Sequence, residues 1–465
     1  MLKKRAQHRR GAGAVIVLLV ALIAIVMVGV KVFSQEAPAI RLTTPVKGIG
    51  KSTPIQFEVS DPEHQIKRVT VRIEQNGRVF KPPKVLIMPS AAKSPWWKFW
   101  GGRLPSRWTV TTRAGQKEIP ALQPGHARLV IVAVNNSWGR FFRGGRSVIA
   151  LNLPVRFSPP QVYALTSQND VMDGGCAMVV FRVSSGVVKS GVQVGPYFFP
   201  SWPMPGSKQN TRLCLFAYPY GVDPSTPARL IARDDAGNQT VANFNYRVLP
   251  RKFHNGKIVL TDAFMERLVP PIMSQTPQLK DQGSLLKNFL QINRALRQTD
   301  TELLLKYGQK TSGHFLWSQP FLALPHSKVE AGYGDARSYF YHGKVVDHEV
   351  HLGYDLASVA HAPIPAANDG KVIFTGYLGI FGNAIILDHG CGIATLYGHL
   401  SRIDVKPGQV VKRGQTLGHT GETGLAAGDH LHFGVLLDGI QVDPIEWWDP
   451  HWIHDQILIK LTAAR

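Results

Sequence analysis

His430-Leu431-His432-Phe433-Gly434-Val435-Leu436-Leu437 is the stretch that decides how this chain is read. A short run this rich in apolar side chains reads as a strand. Side chains alternate between faces, so His430 and His432 share one face while Leu431, Phe433 and Val435 turn to the core. Two imidazoles side by side on a strand face are costly unless something uses them. Partners lie upstream. His351-Leu-Gly-Tyr-Asp355 sets an imidazole and a carboxylate four residues apart, and Leu396-Tyr-Gly-His399-Leu ends an apolar strand on a histidine. Catalytic zinc takes three protein ligands from His, Asp or Glu and leaves a fourth position for water. His351, Asp355 and His432 fill that count. His430 and His399 remain as neutral imidazoles near the water, suited to take its proton and to stabilise developing charge.

Competing readings of the same region fail on spacing. His348-Glu-Val-His351 lacks the His-Glu-x-x-His spacing, because position 352 is Leu, which leaves His348 only as an alternative ligand. Gly376, Gly379 and Gly382 are spaced by threes without Gly-x-Gly or a following helix, so they mark β turns and not a dinucleotide site. Residues 405–418 look like half of a lipoyl or biotinyl carrier, but the turn that follows holds no Lys. Cys391 lies between two glycines beside His389 and reads as a turn residue, not a nucleophile.

The last third as a whole resembles the lysostaphin/LytM-type zinc endopeptidases that cut peptidoglycan cross-links. The resemblance runs over about residues 330–448 and rests on His351-Leu-Gly-Tyr-Asp355, Gly382-Asn-Ala-Ile-Ile-Leu-Asp-His-Gly, Leu396-Tyr-Gly-His-Leu and Gly421-Glu-Thr-Gly-Leu-Ala-Ala-Gly-Asp-His-Leu-His-Phe. It implies a compact antiparallel β domain with a groove across it. It implies Zn2+ held by His351, Asp355 and His432, with His399 and His430 as catalytic histidines. The family's Ser-x-Phe-Gly-x-Arg segment is matched loosely by Ala331-Gly-Tyr-Gly-Asp-Ala-Arg337, so the alignment ahead of His351 stays open. Tyr339 and Tyr341 are candidates for a transition-state tyrosine, and Asn368 for a substrate contact.

The rest of the chain sets the context. It has 465 residues, and 53 Lys+Arg against 31 Asp+Glu give a formal charge of +22. Residues 1–10 carry five bases, and residues 11–30 follow with no charge. Twenty helical residues span about 30 Å, a bilayer core, and the flanking bases keep the N-terminus inside. The expected organisation is a basic tail over 1–10 and a transmembrane signal anchor over 11–32. Two β-rich domains that resemble immunoglobulin-like modules follow over 37–157 and 158–250. A helical connector over 258–309, a peptidase domain over 310–450 and a C-terminal tail over 451–465 complete it. The fold class is mostly β, with sandwich-like middle domains. Asn76-Gly77 marks a hairpin. Leu285, Phe289, Ile292 and Leu296 form one helical face behind Ser284 as N-cap, and Thr299-Asp-Thr-Glu302 has capping-box spacing. The aromatic, basic segment 94–108 reads as a loop packed on its own domain or as a sugar or membrane contact. Three cysteines exclude a disulfide scaffold, though Cys176 and Cys214 are able to pair outside the cytoplasm.

Together these readings predict a single-pass protein of the inner (cytoplasmic) membrane with its catalytic domain in the periplasm. The expected activity is zinc metalloendopeptidase action on peptidoglycan. The large basic excess then points to anionic envelope polymers and not to nucleic acid. The rival is a silent scaffold of the same fold that activates a cell-wall amidase. The bond cleaved, the oligomeric state and the role of the middle domains are not readable from the residues.

Overall fold

The computed structural model describes residues 37–61, 66–90, 107–137, 144–207 and 210–463, together with Leu22 and Val26. Apart from Leu22 and Val26, the span expected over 11–32 lies outside these described residues, as does most of the aromatic segment 94–108. Among the described residues no helix is long and apolar enough to cross a membrane.

The chain divides into two compact units, Met1–Pro159 with Arg233–Gln239, and Pro160–Ala232 with Thr240–Arg465. The first holds two four-stranded antiparallel sheets. One runs Ala39–Leu42, Thr53–Ser60, Arg107–Ala114, Val85–Ser90; the other runs Arg78–Phe80, Ile66–Gln75, Gly125–Asn135, Arg146–Val155. Alternation decides the inner faces: Ile55, Phe57 and Val59 are buried, with Val71 and Ile73 in the same core. Asn76 and Gly77 both take positive φ, which lets Gln75 pair directly with Arg78 in the two-residue hairpin the sequence signals.

The second unit opens with a sheet ordered Trp202–Pro203, Thr211–Ala217, Cys176–Val183, Val162–Ala164. Cys176 and Cys214 are free and buried, and the ladder pairs Cys176 with Ala217 and Cys214 with Val179. The helical segment follows. Thr261 caps Asp262–Gln275 and Ser284 caps Leu285–Gln291, each accepting a first-turn N–H. The second helix then runs through a π turn at Ile292–Leu296 into Arg297–Gly308. The capping box expected at Thr299–Glu302 is therefore not a helix start. The Thr299 and Thr301 hydroxyls donate to the carbonyls of Ala295 and Arg297 four residues back, as mid-helix threonines do. Phe289, Ile292, Leu296 and Leu304 are buried with Ile386, Leu396 and Leu436 of the next sheet. Each such side chain contributes about 1.5–3 kcal/mol on burial.

That next sheet is antiparallel and is ordered Lys328–Ala331, Tyr354–Ala357, Leu431–Leu437, Ile393–Gly398, Asn383–Gly390, Gly370–Tyr377, Val410–Val411. A smaller sheet places Asn255–Val259 parallel beside Asp335–Tyr341, which pairs with Lys344–His351. The strand Leu431–Leu437 is central and buried on both faces, not polar on one. The helical segment supplies the second cover, from well upstream in the chain. The residues expected only as a C-terminal tail are helical over Pro450–Ala463. Ile453 and Ile457 are buried there, and the Lys460 ammonium donates to the Met178 carbonyl at 2.8 Å.

Candidate active site

Four strand ends meet at one point. His351 closes Lys344–His351, and the turn Leu352-Gly353 carries the chain into Tyr354–Ala357. There Asp355 lies directly opposite His432, so the two side chains share a face. On the other side His432 pairs with Gly398, and His399 follows that strand at φ +65. A non-glycine residue rarely takes that conformation, and here hydrogen bonds impose it: the His399 N–H reaches the Phe381 carbonyl at 2.7 Å. His430 is bridged to Gly421 just ahead of the central strand. Gly353 and Gly398 let the backbone close around the His432 ring; a Cβ on Gly353 would stand 2.6 Å from His432 Nε2.

The result is a triangle of ligand atoms. His351 Nε2 lies 2.9 Å from Asp355 Oδ1 and 3.0 Å from His432 Nδ1, which is 3.1 Å from Asp355 Oδ1. His430 Nε2 stands 3.5 Å from the same carboxylate oxygen. The His399 ring centroid is 4.7 Å from that of His430 and 5.9 Å from that of His432. All five side chains line one cavity of about 370 Å³.

Proton accounting tests what this cluster is for. His351 Nδ1 faces the Gly332 carbonyl at 3.0 Å, His399 Nδ1 faces Thr423 O at 2.8 Å, and His430 Nδ1 faces Gly428 O at 2.8 Å. A carbonyl only accepts, so each Nδ1 carries the proton and each Nε2 keeps a bare lone pair. His351 Nε2 and Asp355 Oδ1 are then two acceptors in contact, with at most one proton available from His432 Nδ1. Such a buried set is acceptor-rich and donor-poor, and a divalent cation supplies what it lacks. The spacing agrees: tetrahedral zinc ligands at about 2.0–2.1 Å stand roughly 3.3 Å apart. The residues present therefore fit zinc.

The electrostatics follow from burial and this crowding. Burial alone would raise the Asp355 carboxyl, but the imidazoles of His351, His430 and His432 pull it well below the usual range. Its second oxygen accepts from Arg337 Nη2 at 3.2 Å. Burial pushes His432 down to about 4, against the pull of Asp355. Burial also holds His399 well below its ordinary value, helped by His430 and His432, so it stays a neutral imidazole. Burial opposes the charged form of His430, yet the Asp355 contact outweighs it and raises the group.

Of the weaker candidates, only Tyr339 reaches the cavity. Tyr339 and Tyr341 pack against the same core, but the Tyr341 hydroxyl donates to Asp262 at 2.7 Å and does not line the cavity. Asn368 is buried and donates to the Gln319 carbonyl, apart from the cluster. His348 contacts Ser338 at 3.2 Å and offers no atom to the triangle. Cys391 is a buried turn residue at φ +52 whose thiol burial pushes up to about 12, no nucleophile. Arg337 and Gly353 went unassigned in the sequence. Arg337 closes the loosely matched segment, which is the only hint it gives.

Residues 349–444 match peptidase family M23. The C-terminal domain is an M23 peptidase domain. The chain is 37% identical over 121 residues, 26% of its length, to peptidoglycan DD-endopeptidase ShyB of Vibrio cholerae. It is 38% identical over 96 residues, 21% of its length, to DD-carboxypeptidase/endopeptidase Mpg of Neisseria meningitidis. These matches span only 28% and 22% of the two relatives. The catalytic domain of lysostaphin from Staphylococcus simulans is 30% identical, with 27% of this chain and 94% of that one covered at a TM-score of 0.24. The M23 match takes in all five clustered residues but not Arg337 or Tyr339.

Proposed function

We propose that this chain is a zinc endopeptidase that hydrolyses peptide cross-links of peptidoglycan, with D-Ala to diaminopimelate as the bond, a reading supported by the membrane anchor expected of a diderm envelope and by the name DD-endopeptidase that matched relatives carry. The observation that carries the reading is the donor-poor triangle of His351, Asp355 and His432 beside two histidines with unoccupied Nε2 lone pairs. Those three residues would hold zinc, which supplies Lewis acidity and brings the pKa of a bound water to about 7. Arg337 and the Gly332 carbonyl fix the orientation of Asp355 and His351. His430 Nε2 takes the proton of the attacking water and returns it to the leaving amine as the amide C–N bond breaks. His399 also presents an acceptor, because its own proton is committed to Thr423 O. It therefore orients the water through a second hydrogen bond. The charge-stabilising role that sequence suggests for it would need a proton it does not hold. Tyr339, Phe264 and Leu425 line the cavity and give it an apolar wall.

The same proposal places residues 11–30 across the inner membrane and the catalytic domain in the periplasm, supported by the uncharged run behind five bases. The basic excess then favours anionic envelope polymers as contacts. The test is elemental analysis joined to mass spectrometry of muropeptides released from sacculi of known chemistry. The expected result is about one zinc per chain and newly freed stem peptides, lost on chelation and restored by zinc. A zinc-loaded chain that leaves sacculi intact refutes the reading and favours the amidase-activating scaffold.

A further inference from the structure

A second cavity adjoins the one that holds His399 and His430. It has about 710 Å³ and meets that site through His351, His432, Ile380 and Phe381. Three arginines line it: Arg294, Arg297 and Arg337. The first two come from the helical segment, upstream of residues 349–444.

The guanidiniums of Arg294 and Arg297 are each anchored on one side and open on the other. Arg297 donates through Nε and Nη2 to the carbonyl and Oδ1 of Asn293, at 3.1 and 2.8 Å. Asn293 is fully buried and donates in turn to Asp347 at 2.9 Å. Arg294 donates through Nε to Asp347 at 2.9 Å and through Nη2 to Val346 O at 3.0 Å. Arg337 is spent on Asp335 and Asp355. Among the described residues the Nη1 of Arg294 and of Arg297 makes no hydrogen bond to protein. Arg297 is held by neutral acceptors, with its nearest carboxylate, Glu349, at 3.5 Å, and its side chain is only 23% exposed. A mostly buried cation fixed by an amide hub, with a free NH2 edge, is a preorganised carboxylate receptor. The π turn at Ile292–Leu296 holds Asn293 and Arg294 and runs directly into Arg297. Such widened turns recur at functional sites.

We infer that Arg297, with Arg294 beside it, binds a free carboxylate of the substrate next to the scissile bond. This rests on the proposed peptidoglycan reaction and names the substrate class more narrowly: a cross-linked peptide whose diamino acid keeps its carboxylate. Neutral bridges, such as oligoglycine, leave the Nη1 edge of Arg297 without a carboxylate, since Glu349 faces its Nε at 3.5 Å.

The test uses two muropeptide dimers joined D-Ala to diaminopimelate, one with that residue's free carboxylate and one with it converted to the carboxamide. The zinc-loaded full chain is expected to show a kcat/KM about tenfold or more higher for the carboxylate form, the worth of one charge-assisted hydrogen bond. Arg297→Gln removes the preference, leaving the two dimers within about twofold of each other, and Arg297→Lys keeps part of it. Zinc content and melting temperature of both variants stay at the wild-type values, which separates binding from folding. No preference in the wild type, or an undiminished one in Arg297→Gln, overturns the inference. Binding to a zinc-loaded His430→Ala chain gives a readout independent of turnover. If the wild type cleaves neither dimer while that variant binds the carboxylate form about tenfold more tightly, the proposed reaction fails and the carboxylate site stands. Equal binding of both dimers overturns the site.

Discussion

Replacing Gly353 by Ala should disable the site without unfolding the domain. The new Cβ would stand 2.6 Å from both Cε1 and Nε2 of His432 and 2.8 Å from the Phe433 carbonyl oxygen, closer than the 3.0 Å that real Cβ atoms observe. Something must move by several tenths of an ångström. The Phe433 carbonyl belongs to the central strand of the sheet and is held by pairing on both sides. The His432 ring has no free retreat, because Asp355 Oδ1 and His351 Nε2 lie 3.1 and 3.0 Å from its other nitrogen and Phe381 packs on its face. Overpacking of this kind costs about 1–3 kcal/mol of stability, which a domain this size tolerates. Metal sites hold their ligand distances to about 0.2 Å, and a displacement of roughly 1 Å at a reacting centre costs about a hundredfold in rate. Zinc affinity and turnover should therefore fall much further than stability. Competition for zinc against a chromophoric chelator, thermal melting and muropeptide release measure the three quantities. Gly313→Ala is the control, since its added Cβ meets nothing nearer than 3.7 Å, on Trp202. A Gly353→Ala chain that matches wild type in zinc affinity and rate would refute the claim that His432 is locked in place.

His430→Ala should keep zinc binding within a few-fold while the rate drops by about 10²–10⁴, the worth of a positioned acid–base group; loss of zinc in equal measure would make His430 a ligand instead. Glu446→Gln should flatten the pH dependence of stability. Its buried carboxyl accepts the Cys176 N–H at 2.7 Å, and burial raises it to about 8. Between the unfolded value of about 4.3 and that figure the folded state holds the extra proton, so stability falls as pH rises toward 8. The amide keeps the acceptor without the titration. Asp438, raised to about 8, and Asp300, raised to about 7, act in the same direction and leave a residual slope. Melting temperatures at pH 5, 7 and 9 decide it, and an unchanged slope in the variant would contradict the assignment.

The five site residues were legible because each announces itself locally. His432 lies one alternation past His430 in a run of apolar residues, and Asp355 lies two past Gly353 in the next strand. Strand parity then puts Asp355 and His432 on one face. What stayed hidden depended on contacts far apart in the chain or on breaks in periodicity. Tyr339 and Tyr341 have the same parity and pack against the same core, and only the bond from Tyr341 to Asp262, 79 residues upstream, separates them. The buried second face of Leu431–Leu437 depends on helices about 130 residues upstream, and no pattern within the strand shows them. Thr299-Asp-Thr-Glu302 satisfies a capping rule, yet the π turn carries the helix straight through it. Arg297 gave no signal, since one arginine among 53 basic residues is invisible until its neighbours are known.

Those hidden contacts make the working catalytic unit larger than the 349–444 match. Register shows it directly. Gly256 pairs with Arg337 and Ile258 with Tyr339, while Asp335 pairs with His351 and Arg337 with Glu349. Paired residues share a face, so the upstream strand Asn255–Val259 extends the surface that carries His351 and Arg337. Gly256 lies close to that surface, where a Cβ would stand 3.2 Å from Asp335 Oδ1. The helix behind it reaches further: Arg267 donates to the Ala427 carbonyl at 2.6 Å, in the loop whose Thr423 carbonyl holds the proton of His399 and which ends at His430. Upstream residues thus wall the cavity, brace the loop that orients both free histidines, and supply Arg294 and Arg297. The His and Asp cluster fixes the chemistry, and the segment ahead of it shapes the groove in which that chemistry meets a substrate.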